Sequence, residues 1–158
     1  MHFNTYLLSN QKIKGKILDL LLRETESKIT EIRNEIKELE SSRNSETKST
    51  AGDKHEVGRA MAQSELENPS KRLVEFKERH SRLKQIDLSS SSMAKTGSLV
   101  VTPKATYFIA VGQGKIEVEK ETFFVVSPAS PIGQVLLGKK AGDKVSFRNQ
   151  EIILTEVY

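Results

Sequence analysis

Ala51-Gly52-Asp53-Lys54-His55-Glu56 is the turn on which the reading of this chain depends. It carries two carboxylates three positions apart, and helix-forming sequence runs away from it in both directions. Acid at a helix start is ordinary, because the N-terminal N–H groups and the macrodipole favour negative charge. Acid at the far end of two long arms is not.

Upstream, between Gln11 and Ser42, the apolar residues keep step. Leu18, Leu22, Thr25, Ile29, Ile32, Ile36 and Leu39 recur at alternating spacings of four and three, an a/d seam held over three heptads. No proline interrupts it, and no glycine follows Gly15. Arg23, Glu24, Glu26, Lys28, Glu31, Arg33, Glu35, Lys37 and Glu38 lie between the seam positions as mixed charges on solvated faces. Ile13, Ile17, Leu20 and Leu21 widen the stripe near the start, so the base of this helix packs against more than one partner.

Residues 41–52, SSRNSETKSTAG, are polar and rich in Ser and Thr, which breaks the helix and turns the chain. Downstream, from Asp53 to about Gln85, a second seam reads Ala62, Leu66, Pro69, Leu73, Phe76, His80 and Leu83 with the same spacing. Pro69 on that seam predicts a bend or a short interruption near Asn68-Pro69-Ser70. His80 reads as a packing residue near the base rather than as a ligand. Two such seams joined by a polar turn predict an antiparallel α-helical coiled-coil hairpin. About 30 helical residues at 1.5 Å each make an arm of roughly 45 Å. An arm of that kind encloses no pocket, but it can carry its tip into another molecule's.

Composition narrows the classes. With 158 residues, 36% hydrophobic, 29% charged and no Trp, the chain holds one domain or two small ones around a modest core. Residues 1–87 carry 17 basic and 15 acidic side chains, and residues 88–158 carry eight and six. Neither half is a polybasic arm, so direct, salt-driven binding of nucleic acid is not indicated. The absence of cysteine excludes disulfides, thiolate nucleophiles and Cys-based zinc sites. No apolar run approaches the roughly 20 residues of a membrane helix. The N-terminal MHFNTYLLSNQKIKGK lacks an apolar h-region with a small-residue cleavage site, so a cytoplasmic protein is expected.

Past Leu88–Gly97, a linker by composition, the periodicity changes to short β runs: Ser98–Thr102, Thr106–Val111, Lys115–Val118, Thr122–Val126, Lys144–Phe147 and Glu151–Val157. Gly112-Gln113-Gly114 reads as a hairpin turn; a phosphate loop would need a helix after it, and β sequence follows. One or two helical turns interrupt the strands, with Ser130 as N-cap, Pro131 at the first position, Ile132, Val135, Leu136 and Leu137 on the buried face, and Gly138 as terminator. Ala141-Gly142-Asp143 turns into the last hairpin, with Arg148-Asn149-Gln150 as its loop. This half is expected to be a small, twisted antiparallel sheet with one helix against it. The fold class is therefore α+β, divided as a hairpin over 1–87 with an acidic tip near 53–56, a linker over 88–97 and a β domain over 98–158.

The sequence holds no GxSxG, HExxH, Walker or GxGxxG motif, and His2, His55 and His80 are not spaced as a metal cluster. Asp53, His55 and Glu56 could together hold a divalent ion, though two or three ligands on one turn make a weak, water-filled site. Alone, such a chain is not an enzyme. An incomplete site at the end of a probe makes sense where another macromolecule supplies the rest.

Three stretches resemble the bacterial Gre transcript-cleavage factors, the GreA/GreB-like transcription elongation factors. Ser130-Pro131-Ile132-Gly133-Gln134-Val135-Leu136-Leu137-Gly138-Lys139-Lys140-Ala141-Gly142-Asp143-Lys144-Val145 is similar to the family's SPxGxALLGKKxGDxV signature. Gly52-Asp53-Lys54-His55-Glu56 matches the tip pattern G-D-x-x-E. The layout of two seams, helix-ending Ile86-Asp87, linker and strands ending in Glu156-Val157-Tyr158 completes the likeness, which spans nearly the whole chain.

The resemblance implies an FKBP-like C-terminal domain and a factor that inserts its hairpin through the secondary channel of RNA polymerase. Asp53 and Glu56 would there help hold a second Mg²⁺ and orient the water that cleaves the backtracked RNA 3′ end, with no small-molecule substrate and no membrane involved. Ser130 and Pro131 would belong to the surface docking on the channel rim. The tip departs from the family, reading Glu56-Val57-Gly58-Arg59-Ala60 where Glu-Asn-Ala-Glu-Tyr is usual, so an aromatic and an acid are missing. The family's RNA-contacting basic residue falls near Gln63-Ser64, and Arg59 is the candidate substitute. Ala129 stands where the family often has Asp or Asn. A channel-binding regulator without cleavage activity is the alternative. A coiled-coil interaction protein or prolyl isomerase unrelated to polymerase is the third reading, although few aromatics and no Trp suit an isomerase pocket poorly.

Overall fold

The computed structural model describes residues 2–46 and 54–158, with side chains described from Ser9 onward except at 46–57, 59 and 62. The chain divides into two compact units: Leu22–Ser81, and Met1–Leu21 together with Arg82–Tyr158. The stretch 88–97 belongs to the second of these.

The Leu22–Ser81 unit is formed by two helices, α1 (His2–Glu46) and α2 (Lys54–Lys84). Burial follows the two seams. Thr25, Ile29 and Ile32 on α1 and Pro69 on α2 are buried, with Leu22, Ile36, Leu39, Leu66, Leu73, Phe76 and His80 half-buried, while the charged positions between them are exposed. A 3.5-residue repeat keeps one stripe of each helix against its partner, and no other element among the described residues of this unit covers it. Arg72 Nη1 lies 3.3 Å from Glu35 Oε2, joining the helices, and both ends of the pair are about half exposed. The outward run of α1 and the return of α2 make the pair antiparallel. The interruption expected at Pro69 is not found: α2 is helical through Asn68-Pro69-Ser70, and Pro69 fills a buried seam position. Loss of one backbone hydrogen bond is offset there by apolar burial.

The other unit holds seven strands and a short helix. These are β1 (Leu99–Val101), β2 (Thr106–Ile109), β3 (Gly114–Val118), β4 (Glu121–Val126), α3 (Pro131–Leu136), β5 (Lys144–Phe147), β6 (Gln150–Ile153) and β7 (Glu156–Val157). Five strands form a sheet in the order β3-β4-β2-β1-β7, and β5 pairs with β6 separately. The sheet is mixed, not antiparallel throughout, because β4 inserts between β3 and β2 and runs parallel to β2, with Tyr107 opposite Phe124. Gly112-Gln113-Gly114 therefore connects strands that are not neighbours. The tight hairpin lies at Glu119-Lys120, both left-handed (φ 53° and 68°), and pairs β3 with β4. Two positive φ values in succession give the twist that a two-residue hairpin needs. Arg148 and Asn149 do the same between β5 and β6.

The last expected strand divides in two. Leu154 N donates to Asp143 O and Thr155 N to Val101 O, so the chain crosses from the β5–β6 ribbon to the main sheet at these residues. Val100, Ile109, Leu136, Val145, Leu154 and Ala94 form one core on the face that α3 and the ribbon cover. Leu99, Phe108, Phe123 and Val125 are buried on the opposite face. The same unit contains the base of α1, with Ile17 and Leu21 buried and Lys16 ion-paired to Glu119 at the β3–β4 turn.

The helix α3 is locked at both ends. Ser130 Oγ accepts from Gly133 N at 3.1 Å and donates to Ser127 O at 2.7 Å, and Ser130 N also donates to Ser127 O at 3.0 Å. A Cβ added at Gly133 would lie 2.0 Å from that same Ser127 oxygen. At the other end Gly138 is left-handed (φ 74°) and its N–H donates to Ala94 O at 2.8 Å.

Two stability predictions follow from these contacts. Gly133→Ala should cost about 1–3 kcal/mol, the usual range for overpacking against atoms that cannot move aside. Gly58→Ala, in α2 with nothing within 4 Å of the new methyl, should gain roughly 0.5–1 kcal/mol from helix propensity. Chemical denaturation of the two variants checks both signs.

A third prediction concerns Lys14, which is fully buried with no hydrogen-bond partner for Nζ among the described residues. Burial pushes its amine below the ordinary lysine pKa of 10.5, Lys95 pushes the same way, and Asp87 opposes them. A proton on this group is less welcome in the fold than in the unfolded chain, so stability rises with pH between the lowered value and 10.5. Lys14→Met should raise the melting temperature by a few degrees at pH 7, corresponding to about 1–3 kcal/mol for an uncompensated buried polar group. The advantage should shrink as the pH approaches 10.5, which calorimetry across pH 7–10.5 reads directly.

Candidate functional site

Of the residues expected to carry chemistry, Asp53 lies outside the described residues. Glu56 and Arg59 fall within α2, and their side chains lie outside the described ones. Among the described residues no group of three or more His, Asp or Glu side chains is placed to hold a metal ion. The backbone puts Glu56 in the first turn of α2, where the free N–H groups favour an acid.

The surface around Ser130 and Pro131 is fully described, and it is built outward from α3. Pro131 takes the first helical position, where its missing N–H costs nothing, and its ring is exposed. Ser130 is half-buried, and its hydroxyl is engaged twice within the chain, once as donor and once as acceptor. Its part is to hold the turn, leaving Ala129, Pro131 and Gln134 as the exposed residues of this segment.

The rest of the signature stretch reads the same way. Gly133 permits a close approach, Val135 and Leu136 enter the core, and Gly138 supplies a left-handed turn. Asp143 Oδ2 accepts from Lys140 N at 2.8 Å, closing the turn that carries left-handed Gly142 (φ 90°). Val145 is buried. Most of the motif is thus accounted for by folding, and the side chains offered outward are Pro131, Gln134, Lys140, Ala141 and Lys144, with Met93 bridged to Lys140 and itself exposed.

One cluster escapes a sequence reading. Asp87, taken as a helix-ending residue, accepts from Ser89 N at 2.8 Å, from Ser89 Oγ and from Lys95 Nζ at 2.7 Å. The Lys95 bond first, then those from Ser89, hold its carboxyl well below the usual range. Lys95 Nζ also donates to Ser89 Oγ at 2.9 Å. Left-handed Gly97 (φ 92°) sits so close that a Cβ there would be 2.2 Å from Asp87 O. The spacing Asp-x-Ser is the one visible signal, since Asp commonly bonds the N–H two residues on.

The family model described as "Transcription elongation factor, GreA/GreB, C-term" matches residues 101–157. No curated protein matches the chain. Among solved structures, the chain is similar to the transcription factor Gfh1, with 16% identity, TM-score 0.36, and coverage of 87% of this chain and 93% of that one. It is also similar to GreA factor homolog 1 (Gfh1) of Thermus thermophilus, at 17% identity and TM-score 0.33, covering 90% and 93%. For Thermus aquaticus Gfh1 the values are 17% identity and TM-score 0.34, covering 93% and 95%. These likenesses are too loose to bear on function, whereas the family match falls on the signature stretch itself. Residues 101–157 are a GreA/GreB transcription elongation factor C-terminal domain, and the resemblance read from Ser130–Val145 to the Gre-like factors is borne out there.

Proposed function

We propose that this chain is an accessory factor of RNA polymerase that delivers the turn at Asp53–Glu56 through the secondary channel and stimulates cleavage of backtracked RNA by the polymerase itself. The observation that carries this reading is the joining, in one chain, of a GreA/GreB C-terminal domain to a two-helix seam that ends in two carboxylates. Among the described residues the helices offer no cluster of their own that could hold a metal. Their acid has a use only where a partner brings the remaining ligands.

Only three positions apart in sequence, Asp53 and Glu56 can serve one cation between them. Mg²⁺ surrenders water reluctantly and wants six oxygens in octahedral array, so two carboxylates alone hold it poorly. Inside the polymerase the enzyme's own groups would complete the shell around a cation held by Asp53 and Glu56, and such a cation would supply activation of a water and neutralisation of charge on the phosphoryl group. Asp53 and Glu56 bind and orient. Arg59, one helical turn beyond Glu56 in sequence, is the candidate contact to the RNA 3′ end. Pro131, with the turn that Ser130 holds, forms part of the docking surface on the polymerase.

A second reading has one specific support: Val57-Gly58-Arg59-Ala60 follows Glu56 in place of the family's usual acid and aromatic. On that reading the chain occupies the channel and regulates without cleavage.

Both parts of the proposal are tested on stalled, backtracked elongation complexes. Asp53→Asn with Glu56→Gln keeps size and polarity and removes both charges. The pair should leave folding and polymerase binding unchanged while lowering RNA release by roughly 100-fold or more. Pro131→Gly should weaken binding about tenfold, or 1.4 kcal/mol, with unaltered circular dichroism. If the wild-type chain binds yet releases no RNA across a Mg²⁺ titration, the regulator reading replaces the cleavage reading.

A further inference from the structure

The buried amine of Lys14 has no assigned part in docking or cleavage, and its surroundings give it one. Gln11, three residues earlier on α1, donates from Nε2 to Leu88 O at 2.8 Å. Residues three apart on a helix lie on one face, so Lys14 is directed toward the segment that leaves α2 at Asp87 and Leu88. Asp87 is already paired with Lys95 at 2.7 Å and with both polar groups of Ser89. Lys14 Nζ is left without a partner among the described residues, in a fully buried position. Lys14 thus lies on the face of α1 that meets the Asp87–Leu88 segment, close enough for Asp87 and Lys95 both to act on its amine electrostatically. Of the two lysines only Lys95 is bonded to the carboxylate.

We propose that Lys14 and Lys95 are alternative partners of Asp87, so that the segment 87–97 has two charge-paired arrangements. In the one described here Lys95 holds Asp87, and Lys14 bears the cost of burial alone. In the other Asp87 turns to Lys14, and Lys95, whose side chain is already 39% exposed, is released to water. An unpartnered buried amine is expensive, and bonding it to a carboxylate removes most of that cost, which is what sustains the second state. The exchange reaches the sheet. Lys95 O accepts from Ser98 N at 3.0 Å and Lys95 N donates to Ser98 Oγ at 3.2 Å, immediately before β1. Gly97 packs on Asp87 O with no room for a Cβ, so movement of Asp87 is felt at the start of the sheet.

Of the neighbouring lysines of α1, Lys16 is committed to Glu119, and Lys12 lies close enough to Glu119 to act on its carboxyl electrostatically. The contest is thus between Lys14 and Lys95.

The test is the titration of the Asp87 carboxyl by carbon-detected NMR in the full chain. Lys95→Met removes the present partner, and Lys14→Met with Lys95→Met removes both. Ser89 bonds Asp87 in either variant, so the difference between them isolates Lys14. The Asp87 pKa should be at least about one unit lower in the single variant than in the double one, the size of a close opposite charge. Equal values in the two variants would overturn the proposal. Where the double variant does not fold, the reciprocal measurement decides, because coupling between two titrating groups is mutual. Lys14 should then titrate at least about one unit higher in Lys95→Met than in Asp87→Asn with Lys95→Met. Identical Lys14 titrations contradict the exchange as plainly.

Discussion

Ser127 O is approached from three directions: by Ser130 N, by Ser130 Oγ and by the bare Cα of Gly133. That convergence ties the end of β4 to the start of α3. It sets where Pro131 is exposed and how Leu136 enters the core. The consequences pass along the chain, since α3 ends at Gly138 on Ala94 O, and Ala94 N returns a bond to Lys139 O. A stretch of sixteen residues, Ser130–Val145, is thereby held by its own turns before it contributes to any partner surface. This explains how a motif can be specific to a family and yet mostly structural.

The helical unit works on a different constraint. Two long amphipathic helices that lack a third element to lie on can bury only one stripe each. The stripe is narrow, and Thr25, Pro69 and His80 are tolerated on it. Stability of such a pair comes from length and repetition. The Glu35–Arg72 pair, half exposed, adds little beyond fixing register. The price of this economy is that the helices enclose no site among the described residues.

How far the sequence foretells the structure differs from element to element, for physical reasons. The seams are legible because a 3.5 period is local and survives any tertiary context. The caps of α3 are legible because Ser-Pro and Gly obey rules of a single turn. The sheet order is not. Hydrophobic alternation tells which residues of β2 and β4 are buried but not which strands are neighbours, and the hairpin between β3 and β4 turns on Glu119-Lys120, residues with no turn signature. Lys14 is hidden for the same kind of reason: its position in the helix is ordinary and nothing local foretells its burial, while Gln11 on the same face bonds Leu88, 77 residues away in sequence. Of the candidate site, Ser130 and Pro131 stand on the turn expected of them, while Asp53, Glu56 and Arg59 rest on sequence alone.

The central claim is that the turn at Asp53–Glu56 reaches the metal of the polymerase active site. Replacing that Mg²⁺ with Fe²⁺ in a stalled elongation complex, and triggering local hydroxyl radicals, maps every backbone segment near the metal. The account predicts cleavage of this chain confined to the neighbourhood of residues 50–60. Cleavage elsewhere in the chain, or none at saturating binding, would contradict it.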